Sequence, residues 1–238
     1  MAGRFSVKET EALAGMRQVY RGAHRVGLST VTRIISGFAG SRELKVAREG
    51  TRPTSDMVRE AIFSALDSRE ILVGARVLDL YAGSGALGLE ALSRGASSVV
   101  LIEKGIQAGK LLRINAEMVR SVGNLSPIAA SVSVMAVSSY LASANVRGSS
   151  GTGFDVVFID PPYDMPEDEV AAALAALLPA LNDEAIVILE RSTRSPAPTL
   201  PAGLHLDRKK KHGETTIWWL ENVIPEASSA NAAITAIS

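Results

Sequence analysis

The stretch VLDLYAGSGALGLE, residues 77–90, decides how the chain is read. Val77, Leu78, Leu80 and Tyr81 form an apolar run broken by one acid, Asp79; glycines follow at Gly83, Gly85 and Gly88, and an apolar helical pattern begins. This order predicts a strand, a tight turn and the start of a helix. Glycines at the turn let the backbone bend sharply and let a ligand approach main-chain atoms that a Cβ would shield. The unpaired N–H groups of the helix start add a partial positive charge. A nucleotide-like ligand suits such a turn.

Working outward, Ser98 to Glu103 predicts a second buried strand ending in an acid, and Lys104 to Val119 a helix. Ile128 to Val134 is a weaker, Ala/Ser-rich strand, followed by a helix to about Ala144 and a Gly/Ser linker from Gly148 to Gly153. Phe154 to Ile159 has the continuous apolar character of a strand covered on both faces, and it stops at Asp160-Pro161-Pro162-Tyr163. A helix from Glu167 to Leu178 and a fifth strand from Glu184 to Glu190 follow. Strands alternating with helices imply right-handed crossovers and a parallel sheet. Leu204 to Lys210 and Thr215 to Leu220 flank Gly213 with no helix between them, which predicts an antiparallel hairpin on the sheet edge.

Upstream, Thr32 to Ile35 and Leu44 to Val46, with turn points at Gly37 and Gly40, predict a small hairpin. Arg52-Pro53-Thr54 closes the following loop, and Thr54 or Ser55 caps a helix running to about Leu66. Val58, Ile62, Phe63 and Leu66 give that helix its buried face, with Arg59 and Glu60 expected off it. The expected organisation is a disordered extension over 1–30, a hairpin and helix over 31–70, an α/β domain over 71–224 and a disordered tail over 225–238.

With 238 residues, 47% of them apolar, the chain can bury one large α/β core plus a small appendage. Its formal charge is zero, so a nucleic-acid partner has to be held by local basic patches. The absence of cysteine excludes disulfides, thiolate metal sites and cysteine nucleophiles. His24, His205 and His212 are too scattered for a metal cluster, and none is expected. No apolar run reaches the ~18 residues of a membrane span, and the start lacks a secretory core, so a cytoplasmic protein is expected. Two basic patches stand out: Arg33, Arg42, Arg52 and Arg59 around the hairpin, and Arg208-Lys209-Lys210-Lys211 beside Gly213. By contrast, every charged residue from Asp160 to Glu190 is acidic.

Gly83-Ser-Gly85-Ala-Leu-Gly88 matches the dinucleotide fingerprint, so a nicotinamide oxidoreductase is one reading. Glu103 suits the ribose of either a dinucleotide or an adenosyl cofactor. Asp79 separates the two, because an acid inside the first strand meets an ammonium group well and repels a pyrophosphate. S-adenosylmethionine carries such an ammonium and no phosphate. In Asp160-Pro161-Pro162-Tyr163 the two prolines fix an extended chain and remove two N–H donors, leaving the Asp160 carboxylate and the Pro161 carbonyl as acceptors. That corner fits an exocyclic amine, whose nitrogen lone pair it aims at an incoming methyl, while Tyr163 stacks on the base. An acid braced against a turn, and a plain turn after a strand, are the structural alternatives for Asp79 and Asp160.

The Asp-Pro-Pro-Tyr tetrapeptide and the 77–90 stretch resemble class I amino-methyltransferases. Together with Arg33-Ile-Ile-Ser-Gly37, Arg52-Pro53-Thr54, Val58-Arg59-Glu60 and the run from Gly83 to Arg94, they are similar to the RsmD-type 16S ribosomal RNA guanine-N2 methyltransferases. The resemblance covers about Val31 to Leu220. It implies a Rossmann-like class I methyltransferase fold, a seven-stranded mostly parallel sheet with helices on both faces and a C-terminal antiparallel hairpin. It also implies S-adenosylmethionine as cofactor and N2-methylguanine in small-subunit RNA as product. Asp79, Tyr81, Gly83, Gly85, Glu103 and Lys104 match the cofactor site, and Asp160, Pro161, Pro162 and Tyr163 the base site. One departure is the lack of an acid in Ala129 to Val137, where many related enzymes contact adenine; backbone groups are expected to serve there. Val31 is expected to be the true initiator, read from an alternative start codon. Adenine-N6 or protein-glutamine methylation, and a catalytically silent RNA-binding assembly factor, are the competing functions. The first two usually begin the tetrapeptide with Asn.

Overall fold

The computed structural model describes residues 32–46, 56–143 and 153–223. The expected 1–30 extension, Arg52 and its neighbours, the Thr54/Ser55 cap, the linker before Gly153 and the expected 225–238 tail lie outside these residues.

Seven strands form one sheet: β1 (Arg76–Leu80), β2 (Ser98–Glu103), β3 (Ala130–Val134), β4 (Phe154–Ile159), β5 (Leu181–Ser192), β6 (Leu204–His212) and β7 (Thr215–Asn222). Their spatial order is β3-β2-β1-β4-β5-β7-β6. The first five are parallel neighbours, and β7 joins β5 antiparallel with β6 outermost. The expected class I methyltransferase-like architecture is the one observed.

Helices α1 (Asp56–Asp67), α2 (Gly88–Ser93), α3 (Ile106–Val122), α4 (Val137–Leu141) and α5 (Glu167–Leu177) connect and cover the strands. The alternation of each strand sorts its side chains onto two cores. Val156 and Phe158 of β4 point to the layer that holds Ile62, Phe63, Leu89, Leu112 and Trp219. Val157 and Ile159 point to the layer of Tyr140, Val170, Leu174 and Leu220. Both faces of β4 are therefore buried, which is why its sequence reads as an unbroken apolar run.

The N-terminal hairpin narrows to a single bridge, Arg33 to Glu43. It is seated against α2 instead of standing alone: Ile34, Ala39 and Leu44 belong to the first core layer. Glu90, fully buried on α2, accepts from Ile35 N–H (2.5 Å) and Ser36 N–H (2.9 Å). The Ser93 hydroxyl donates to the Ser36 carbonyl and accepts from Ala39 N–H. At Gly37 a side chain has no room, since a Cβ would come within 1.9 Å of the Ser93 carbonyl oxygen.

Two sequence expectations need correction. Arg59 lies on the buried face of α1 and is 0% exposed; it is four residues before Phe63 and so shares its side of the helix. β5 begins earlier than expected because Glu184, in a left-handed conformation (φ 60°), interrupts the apolar pattern and accompanies a register shift against β4.

Candidate functional site

The order of the sheet reverses direction beside β1, where β2 lies on one side and β4 on the other. Open α/β sheets bind ligands outside the carboxyl ends of their strands at such a point. Leu80 and Ile159, the last residues of β1 and β4, are register partners. The glycine turn and the proline corner therefore leave adjacent strands side by side.

One cavity of about 1270 Å³ lies there. Asp79, Tyr81, Gly83, Glu103 and Lys104 line it together with Asp160, Pro161, Pro162 and Tyr163. Sites for single drug-sized ligands run ~300 to 1,000 Å³, so this space exceeds what one such ligand fills.

Asp79 is 1% exposed and its Oδ2 accepts from Gly88 N–H at 2.8 Å. The bond needs a glycine: a Cβ on Gly88 would sit 3.0 Å from that oxygen and 2.6 Å from Leu101. Burial pushes the Asp79 carboxyl up to about 7; the Gly88 N–H opposes the rise, and the nearby Asp160 and Glu103 carboxylates add to it. A buried carboxyl among other acids is a seat for a cation, since a positive charge beside it favours the ionised form that burial and the neighbouring acids oppose. Asp79 thus braces the turn and also faces the cavity.

Glu103 spans the turn from the other side. Its Oε2 accepts from Gly83 N–H (2.9 Å) and its Oε1 from Gly105 N–H (2.5 Å), and each oxygen retains a lone pair for a hydroxyl. Gly83 has φ 53° and Tyr81, unusually for a residue with a side chain, φ 65°. Backbone held in that region collects at ligand-binding turns. The Tyr81 hydroxyl reaches the Met165 sulfur at 3.6 Å and so ties the glycine turn to the corner beyond Tyr163. Burial raises the Tyr81 phenol further above its ordinary range.

Gly85 is not part of the cavity wall. Its φ of 83° closes the turn, and a Cβ would meet Leu112 at 2.7 Å and Leu89 at 2.9 Å, so its part is close packing. Among the described residues, Ala136, Val137, Ser138 and Ala142 line the cavity beyond β3, and none of them is an acid.

The proline corner is held from behind. Met165 N–H donates to the Pro162 carbonyl (3.0 Å), and the Arg191 guanidinium, buried at the end of β5, donates to the Met165 carbonyl (3.0 Å). Tyr163 itself is 50% exposed.

Of the basic residues singled out, Arg33 and Arg42 are exposed on the hairpin and Arg208 to Lys211 on β6. Arg208 lies over Trp219 (4.2 Å) and Lys209 over Trp218 (5.1 Å), each across from its register partner. Arg59 contradicts its assignment to RNA: its guanidinium is spent on Asp56 (2.6 Å) and the Ala86 carbonyl (3.5 Å), under the glycine turn.

Sequence reading missed Glu90, Asn115 and Arg191. Each stood as a polar residue inside an apolar pattern: Glu90 within GLEALS, Asn115 on the stripe of Leu112, Ala116 and Val119, and Arg191 after the apolar run of β5. Buried polar residues are bonded, and here the bonds position the site.

Residues 32–221 match the family described as Conserved hypothetical protein 95. The chain is 36% identical over 183 residues to ribosomal RNA small subunit methyltransferase D of Escherichia coli K12, covering 76% of this chain and 85% of that protein. The protein of the same name from Haemophilus influenzae is 31% identical, covering 76% and 89%. The solved structure of yhhF from Escherichia coli superposes with a TM-score of 0.68 at 32% identity, covering 81% of this chain and 98% of that one. With the match spanning nearly all the described residues, the chain belongs to the Conserved hypothetical protein 95 family, the RsmD group that its glycine turn and Asp-Pro-Pro-Tyr corner resemble.

Proposed function

We propose that the chain transfers a methyl group from S-adenosylmethionine to the exocyclic N2 amine of a guanine in 16S ribosomal RNA of the small subunit. The observation that carries this reading is the shared cavity: the buried Asp79 and the Asp160–Tyr163 corner open onto one space. The names of the Escherichia coli and Haemophilus influenzae relatives support an RNA of the small subunit as the substrate class.

The residues fit the cofactor. Asp79 offers its ammonium a buried carboxylate, Glu103 offers its ribose two acceptors, and Ala136, Val137 and Ser138 give the adenine a largely apolar wall. The acids around Asp79 disfavour the pyrophosphate of a nicotinamide dinucleotide.

When bound, the cofactor supplies an electrophilic methyl on a sulfonium sulfur, which keeps the carbon–sulfur electron pair as the nitrogen–carbon bond forms. Asp160 and the Pro161 carbonyl accept the two N–H bonds of the amine, turning its lone pair toward the methyl. Tyr163 stacks on the base, a contact worth ~1 to 3 kcal/mol. The released proton goes to Asp160 or to water. Holding the reacting atoms ~3 to 3.5 Å apart supplies most of the rate, and a paired base has to leave its stack to reach the corner. Arg33 and Arg42 on the hairpin, and Lys210 and Lys211 on β6, are the exposed candidates for phosphate contact. Arg208 and Lys209 are shared with their tryptophans.

The test is incubation with labelled S-adenosylmethionine and undermodified small subunits, followed by digestion to nucleosides. Label in N2-methylguanosine supports the reading. Label in N6-methyladenosine or in protein overturns the amine assignment, and no label with intact RNA binding favours the silent assembly factor.

A further inference from the structure

The cavity presents an electrostatic problem that its named residues leave open. Among the described residues its lining acids are Asp79, Glu103, Asp160, Asp164 and Glu169, and its lining cations are Lys45 and Lys104. That balance suits a cationic cofactor and opposes the phosphates that accompany any nucleotide base. Lys104 follows Glu103 directly, beside the ribose end. Lys45 lines the same cavity from the foot of the hairpin, which also carries the exposed Arg33 and Arg42.

The position of Lys45 is fixed with unusual care. The Asn115 side-chain amide, 1% exposed on α3, pairs with its backbone as a neighbouring strand would: Lys45 N–H donates to Oδ1 (2.9 Å) and Nδ2 donates to the Lys45 carbonyl (2.9 Å). The second N–H of the same amide reaches the Ser84 carbonyl in the glycine turn (2.9 Å). One buried side chain thus uses both donors and its acceptor to hold Lys45 at a set place relative to the turn. The Lys45 side chain itself is exposed.

We infer that Lys45 binds a backbone phosphate next to the target nucleotide, so that the charge repelled by the acidic wall is met at the cavity mouth. The inference rests on the RNA-methylating reading of the site, and deepens it. A single phosphate contact contributes ~0.7 to 0.9 to the slope of log affinity against log salt.

The experiment measures binding of undermodified small-subunit 16S RNA to the full chain and to Lys45→Gln across a salt series, with S-adenosylhomocysteine affinity measured by calorimetry alongside. The expected result is a slope lower by ~0.7 to 0.9, roughly five-fold weaker RNA binding at 0.1 M salt and unchanged S-adenosylhomocysteine affinity, with Lys45→Arg restoring the slope. An unchanged slope overturns the inference, as does a loss confined to S-adenosylhomocysteine, which assigns Lys45 to the cofactor. A lower slope in a protein whose wild type transfers no methyl group to RNA leaves the phosphate contact standing and sinks the reaction.

Discussion

The two halves of the cavity are built to different standards. The turn after β1 is finished before any ligand arrives: Asp79 is buried and bonded to Gly88, Glu103 bridges Gly83 and Gly105, and Tyr81 is held in a left-handed conformation. The corner after β4 leaves Pro162 and Tyr163 exposed and is braced from behind through Met165, Tyr81 and Arg191. A small cofactor needs a preformed seat with matched charge. A base swung out of a large RNA needs an opening and a firm backstop. The difference explains how one edge of a sheet accepts ligands of such unequal size.

Breaking the corner at its acceptor has the largest expected effect. Asp160→Ala should lower methyl transfer by about 10²- to 10³-fold, the usual loss on removing one aligned polar group, while calorimetry finds cofactor affinity unchanged. The same substitution leaving turnover intact contradicts the assignment.

Breaking the seat acts on the other substrate. Asp79→Asn should weaken S-adenosylmethionine binding by about 30-fold or more, as loss of a buried charge partner costs ~2 to 5 kcal/mol. It should also stabilise the ligand-free protein at alkaline pH. The folded Asp79 carboxyl stands near 7 against an ordinary 3.8, so the folded state holds its proton to higher pH than the unfolded state. Wild-type stability from this group is therefore full below pH 3.8 and falls as pH rises through 7. Melting curves of the two proteins should converge at acid pH and separate, Asn above Asp, by pH 8.

The pH sharpens the comparison further. An ammonium ligand favours the Asp79 carboxylate, so cofactor affinity should rise with pH up to about 7 and level off above it, with a proton released on binding below that point. Calorimetry in buffers of differing ionisation enthalpy reads the proton. In an Asp79→Asn background this pH dependence should disappear.

The backstop should show a smaller and more selective loss. Arg191→Met removes the bond to the Met165 carbonyl and should lower kcat by about ten-fold, one lost hydrogen bond to a charged group, with the cofactor Kd unchanged. Arg191→Lys, keeping the charge without the planar fork, should recover part of it.

Much of this arrangement is legible in the residues themselves. Glycine spacing and the switch from a strand pattern to a helical one locate the 77–90 turn, and the apolar run of β4 places Asp160 at the sheet edge, because both signals are local. What binds the parts together is not local. Glu90 reaching the hairpin, Asn115 pairing with Lys45 and Arg191 holding Met165 join positions 54, 70 and 26 residues apart. Nothing in sequence spacing alone says which distant backbone a buried polar side chain will find. Arg59 follows the same logic: an arginine reads as solvent-facing until the fold around it brings an acid at Asp56 and a carbonyl at Ala86 to its guanidinium.

The central claim is that donor and acceptor seats share one space, and a bisubstrate probe tests it most directly. In such a probe a guanosine is joined through its N2 to the sulfur position of an S-adenosylhomocysteine analogue. A shared cavity predicts that the conjugate binds at least ten-fold more tightly than S-adenosylhomocysteine, since the second contact becomes intramolecular, and that Asp160→Ala removes the gain. A conjugate that binds no better than S-adenosylhomocysteine, or equally well to wild type and Asp160→Ala, contradicts the account.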